Sequence, residues 1–133
     1  ERFANNLTNY LLSRIETHPG VVILTSNHRD RIDPAFNRRI EIIIDFPQPG
    51  FNERLALWGS HMGQRSPDDD FLKALASHCD LSGGQIRNAV LSAAANSPDS
   101  EVLSKTEIIK AISREYQKLG KSLPAALQSH GVM

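Results

Sequence analysis

The chain has 133 residues, of which 40% are hydrophobic and 23% charged. That is the make-up of one soluble globular domain, or one large piece of a domain; it excludes a disordered chain, a collagen-like repeat and a membrane protein. Fifteen basic and fifteen acidic side chains cancel, so bulk charge draws the chain toward neither nucleic acid nor an anionic membrane.

In chain order, the first element reads as a helix. Leu7, Leu11 and Ile15 recur at four-residue spacing beside Tyr10 and Arg14, with Asn5 or Asn6 as its cap. His18-Pro19-Gly20 ends it, because proline cannot continue the hydrogen-bond ladder. Val21–Thr25 is apolar without alternation and rich in β-branched residues, the pattern of a strand buried on both faces in a parallel sheet. Thr25-Ser26-Asn27 leaves that strand at its carboxyl end. Asp33-Pro34-Ala35-Phe36 predicts a short helix start, with Asp33 as cap and Pro34 at the first helical position. Ile40–Phe46 reads as a second parallel-type strand. Pro47-Gln48-Pro49-Gly50 is the clearest linker and predicts a subdomain boundary.

The rest reads as helices. Phe51, Leu55, Trp58 and Met62 share one face of the first. Asp68-Asp69-Asp70 suits the N-terminus of a second, which carries Phe71, Leu72, Leu75 and Cys79. Ser82 caps a third with Ile86, Ala89, Val90 and Ala93, broken at Ser97-Pro98-Asp99-Ser100. Ser104 and Glu107 have capping-box spacing and open a fourth with Ile108, Ile109, Ile112, Tyr116 and Leu119, ended by Gly120. The tail, Lys121–Met133, has little pattern and is expected to be mobile. The expected architecture is therefore an α/β remnant with two parallel-type strands, followed by an all-α four-helix lid, mostly helical overall. Two buried strands make a poor sheet alone, so the chain reads as a fragment.

The longest apolar runs, Val21–Leu24 and Ile42–Ile44, fall far short of the roughly 20 residues that cross a bilayer. The opening Glu1-Arg2 carries no secretory signal. A single cysteine, Cys79, excludes an internal disulfide framework and reads as core. Together these set the expectation of a reducing, cytoplasmic compartment. The five histidines, His18, His28, His61, His78 and His130, show no metal-ligand spacing, and no metal site is expected. Asn6-Leu7-Thr8 is a glycosylation sequon inside a predicted helix. Asp68–Asp70 lacks the spaced ligands of a calcium loop. Trp58 and Phe51, at helical spacing, read as core.

Three features point to chemistry. Asn27, just beyond a strand, lies where open α/β sheets bind ligands; the plainer reading is a turn cap. Arg38 and Arg39 suit the charge that develops on a transferring phosphoryl group; the plainer reading is a surface ion pair. With Arg29 and Arg31 they also form a basic cluster that permits a nucleic-acid reading. Ser82-Gly83-Gly84-Gln85-Ile86-Arg87 places glycines at a helix start, with Arg87 about a turn later, in reach of a nucleotide phosphate; the plainer reading is a turn, a cap and a solvated arginine.

In order and spacing, these segments resemble the C-terminal part of an AAA+ ATPase module. Thr25-Ser26-Asn27 is similar to its sensor 1 segment. Ile32-Asp33-Pro34-Ala35-Phe36-Asn37-Arg38-Arg39-Ile40 resembles the segment that ends in its arginine finger. Phe46-Pro47-Gln48-Pro49 is similar to its junction with the helical lid, and Gly84-Gln85-Ile86-Arg87-Asn88 to its sensor 2. The resemblance runs from about Asn6 to Leu119. It implies that residues 1–49 are the end of the large α/β subdomain of a P-loop core, 50–120 the lid and 121–133 a flexible tail.

No G-x-x-x-x-G-K-[ST] phosphate loop (Walker A) is present, nor an apolar strand ending in the magnesium-holding acidic pair (Walker B). Gly120-Lys121-Ser122 is a partial match only; Glu115 stands where the first glycine belongs. The resemblance implies a parent enzyme that couples ATP hydrolysis to macromolecular remodelling. Asn27 orients the attacking water, Arg87 with Gly84 meets the γ-phosphate in the same subunit, and Arg38 or Arg39 reaches the next subunit of a homo-oligomeric ring, expected to be a hexamer. ATP and magnesium belong to the complete module; this chain alone is expected neither to bind them tightly nor to hydrolyse ATP. No membrane or nucleic-acid partner is expected. Two alternatives stay open: a non-enzymatic helical protein-interaction module, and a nucleic-acid-binding helical domain using Arg29, Arg31, Arg38 and Arg39.

Overall fold

A computed structural model describes residues 2–129. The chain divides after Phe46 into two compact units.

The first unit opens with helix α1 (Arg2–Thr17). The Thr17 hydroxyl donates to the Ser13 carbonyl at 2.9 Å in its last turn, and Pro19 lies just beyond. Leu12 is the residue this helix buries, whereas Leu7 and Leu11 of the expected face are 59% and 42% exposed. A short turn of 3₁₀ helix, Arg29–Arg31, and a one-turn helix α2 (Pro34–Asn37) follow. The start of α2 is as expected: the Asp33 carboxylate accepts the Ala35 N–H at 2.8 Å, and Pro34 occupies the first helical position.

The α/β expectation is wrong. Among the described residues there is no strand and no sheet; Val21–Thr25 and Ile40–Phe46 are irregular. A strand exists only through a ladder to a neighbour, and an isolated pair is marginal in water. The β-branched composition of these runs shows that they suit a pleated, half-buried surface, not that one is present. Their side chains are instead exposed: Val21 by 87%, Ile23 by 81% and Phe46 by 90%.

The second unit is a helical bundle of α3 (Phe51–Met62), α4 (Asp69–His78), α5 (Gly83–Ala95), α6 (Lys105–Lys118) and a short α7 (Ala125–Gln128). α3 packs on α4 and α5, α5 on α6, and α7 on α4. The predicted faces meet in one core, with Trp58, Leu75, Ile86, Ile108 and Ile112 fully buried. Phe51 and Leu119 are the exceptions, at 41% and 44% exposed. The starts of α4, α5 and α6 are capped by the side chains of Asp68, Ser82 and Ser104. Ser104 makes one arm of the expected capping box; the Glu107 carboxylate accepts a bond from Lys110 at 2.9 Å.

Residues 121–129 are not the patternless tail that was expected. Leu127 of α7 is fully buried in the same core; the tail expectation for 130–133 lies outside the described residues. Removing this side chain leaves a cavity, so Leu127→Ala is expected to cost about 2–5 kcal/mol in urea unfolding, against roughly 0.5 kcal/mol or less for Ile23→Ala at an exposed position. An unchanged midpoint for Leu127→Ala would show that α7 does not dock.

Candidate functional site

The start of α5 is built by a reciprocal cap. The Ser82 hydroxyl accepts the Gln85 N–H at 3.3 Å, and the Gln85 side-chain oxygen accepts the Ser82 N–H at 2.8 Å. This fixes the first turn, where backbone N–H groups have no intrahelical acceptor. A side chain at Gly83 would touch Leu57 at 3.6 Å, an ordinary contact, while one at Gly84 would meet nothing within 4 Å. Neither glycine has a positive φ, so the fold does not demand glycine at 84. What Gly84 supplies is bare backbone at the positive end of a helix dipole.

Arg87 is three residues beyond Gly84 and therefore shares its face. It is exposed, and no hydrogen bond or ion pair to it is found among the described residues. A capped helix start and an exposed arginine on the same face are groups of the kind that hold a phosphate-type anion.

The other site residues lie in the first unit. Asn27 is exposed in a turn closed by the Ser26 hydroxyl, which accepts the His28 N–H at 3.0 Å. Arg38 and Arg39 are adjacent yet differently engaged. Arg39 donates through Nε to the Glu16 carboxylate of α1 and through Nη1 to the Ala35 carbonyl at 3.0 Å. Arg38, at the end of α2, is exposed and unpaired among the described residues. Arg29 is likewise paired, with Asp45 at 2.9 Å. Two of the four arginines of the basic cluster are thus held by carboxylates.

Gly120-Lys121-Ser122 is a helix stop. Gly120 takes a φ of +67°, the left-handed region that glycine enters without strain. The Gly120 N–H reaches the Gln117 carbonyl at 3.0 Å, and the Lys121 N–H the Tyr116 carbonyl at 2.9 Å, the paired bonds of a Schellman motif. Cys79 is fully buried, and burial pushes its thiol up to about 12, so it is no nucleophile. Among the described residues no group of three His, Cys, Asp or Glu side chains is placed to hold a metal; His130 lies outside them. No helix among them is long and apolar enough to cross a membrane.

Residues 50–119 match the family model described as the contractile injection system ATPase helical domain. The chain belongs to this family. No curated protein and no solved structure matches it. The matched span begins at Gly50, which caps α3, and ends at Leu119, which caps α6, so this ATPase helical domain comprises α3–α6, with Gly84 and Arg87 inside it and α7 beyond it.

Sequence reasoning missed one polar joint of this ATPase helical domain. Tyr116, read as an apolar face residue, is 3% exposed. Its hydroxyl donates to the Asp80 carboxylate at 2.7 Å and accepts the Asp80 N–H at 3.2 Å. Lys121 stands 3.9 Å from the same carboxylate. No spacing rule joins residues 80 and 116; their pairing follows from packing alone. The Tyr116 bond holds the Asp80 carboxyl below its ordinary value, while burial and Asp80 push the Tyr116 phenol up.

Two outcomes are expected. A depressed Asp80 contributes stability that is present above the ordinary carboxylate range near about pH 4 and lost as pH falls through its folded value. The wild type should therefore lose stability more steeply than Tyr116→Phe in unfolding measured from pH 5 downward; parallel slopes would remove Asp80 from the account. Gly84→Ala should stabilise the bundle by about 0.4–1 kcal/mol, read as a rise in denaturation midpoint; a loss would mean that the fold does need glycine there.

Proposed function

We propose that the chain is the C-terminal part of an AAA+ ATPase that works with a contractile injection system and uses ATP hydrolysis to remodel a component of it in the cytoplasm. The observation that carries this reading is the family match over α3–α6, which contains the capped helix start bearing Gly84 and Arg87. In the complete enzyme, Arg87 and the bare backbone at Gly84 meet the terminal phosphates of ATP, so closure of the helical domain follows the state of the nucleotide. Asn27 orients the attacking water. The phosphate loop and the magnesium ligands come from residues outside this chain. The enzyme is a ring, taken as a hexamer, in which an arginine of one subunit faces the nucleotide of the next.

Arg38 is that arginine. Arg39 is occupied by Glu16 and the Ala35 carbonyl, so using it would mean breaking a brace between α1 and α2. Arg38 extends from the end of α2 with nothing to break. A guanidinium that neutralises charge on the transferring phosphoryl group speeds related reactions by roughly 10³–10⁵.

In the complete ATPase, Arg38→Ala should lower turnover by roughly 10³-fold or more while nucleotide still binds. Arg39→Ala should lower the helicity and thermal stability of residues 2–46. Intact turnover in Arg38→Ala would refute the finger assignment. Calorimetric titration of this chain alone with ATP and magnesium should show no tight binding; magnesium-dependent micromolar binding would place the phosphate site within it.

A further inference from the structure

The linker Pro47-Gln48-Pro49-Gly50 contains one conformationally soft residue. The two prolines fix their own φ and hold Phe46 and Gln48 extended. Gly50 has no such restraint and is where a hinge would be expected. One side chain spans it. The Arg54 Nη1 donates to the Pro49 carbonyl at 2.7 Å, and the Arg54 Nε to the Ala76 carbonyl at 2.8 Å. The Arg54 backbone N–H donates to the Gly50 carbonyl at 2.9 Å. Gly50 thus lies between two carbonyls held by the same residue, and that residue is tied to the last turns of α4. Ala76 is fully buried, and its carbonyl is among those that a helix end leaves without an intrahelical donor. The guanidinium is half-buried, and its planar fork suits two divergent carbonyls as a single ammonium does not.

We infer that Arg54 latches the linker glycine, so that Pro49 and Gly50 move as one body with the helical bundle and the chain bends before Pro49 rather than at Gly50. Arg54 is a positioning residue, acting through the linker. The latch stands on bonds within the bundle unit alone. Its use in a nucleotide cycle rests on the ATPase reading: a displacement of the bundle would pass through residues 49 and 50 without slack, and releasing Arg54 would decouple the two.

Backbone ¹⁵N relaxation of this chain tests the latch. In the wild type the Gly50 amide should be as ordered as α3, with an order parameter near about 0.85, and in Arg54→Met it should fall below about 0.6 while the amides of Trp58 and Leu75 keep their values. Arg54→Lys should lose the same order, because an ammonium cannot hold both carbonyls. A mobile Gly50 in the wild type, or a rigid one in either variant, would overturn the latch. Should Arg54→Met fail to fold, the wild type and Arg54→Lys still decide. In the complete ATPase, Arg54→Met should leave nucleotide binding intact and lower turnover roughly 10-fold to 100-fold, the range that misplacement remote from the chemistry produces. Unchanged turnover beside a lost Gly50 order would leave the latch standing and refute its part in the cycle.

Discussion

The bundle depends on burial of the inner face of α3. Trp58 is fully buried in the bundle core, and α3 touches both α4 and α5. Burying a large apolar side chain stabilises by about 1.5–3 kcal/mol relative to leaving it exposed. Around Trp58 the same gain repeats at Leu75, Ile86, Ile108 and Ile112. The indole nitrogen of Trp58 has no hydrogen-bond partner among the described residues, so the apolar gain of that ring outweighs one unmet donor. The first unit has no comparable centre. Leu12 is its one buried residue in α1, and its β-branched runs are exposed. Burial, not local propensity, is what separates the two units.

Polar side chains then close the loops between packed helices. Arg65 donates to the carbonyls of Ser97 and Ser100 while its own carbonyl accepts the Leu103 N–H at 2.8 Å, which ties the α5–α6 connection to the end of α3. Asp68 caps α4 and pairs with Lys105 at 2.5 Å, and Lys105 lies over the Phe71 ring at 5.2 Å. Tyr116 joins α6 to Asp80 just beyond α4. Exposed ion pairs add little stability in water, so the use of these contacts is geometric: they fix where the helix ends stand. The start of α5 is fixed separately, by its own reciprocal cap.

Most of the bundle was legible because its signals are local. Apolar spacing marked α3–α6, Asp68, Ser82 and Ser104 marked their starts, and Gly120 marked the end of α6. The first unit was misread for the same reason in reverse. The runs at 21–25 and 40–46 carry the composition of buried strands, but a ladder is a relation between segments and composition reports only one partner. α7 was missed because four residues around Leu127 are too few for a period. The braces at Arg54 and Tyr116 join residues 22 and 36 positions apart, and no periodicity reports such pairs. The candidate residues stand out in the sequence by type, yet the unequal engagement of Arg38 and Arg39 depends on Glu16 in another helix.

Gly84 is a glycine that neither backbone conformation nor packing requires. Glycine lowers helix stability by roughly 1 kcal/mol relative to alanine in a helix interior. At Gly63 and Gly120 a positive φ accounts for the residue, whereas a side chain at Gly83 would make only an ordinary contact with Leu57, and at Gly59, as at Gly84, it would meet nothing within 4 Å. At Gly84 the backbone is helical and the space around it is open, so the fold makes no demand for glycine there. The fold is therefore less stable than it need be at a first-turn position that shares a helix face with the exposed Arg87. Bare backbone there lets a bulky anion approach more closely than any side chain would permit. Stability alone would favour alanine at residue 84; under the proposed nucleotide reading, anion access would favour the glycine that is present.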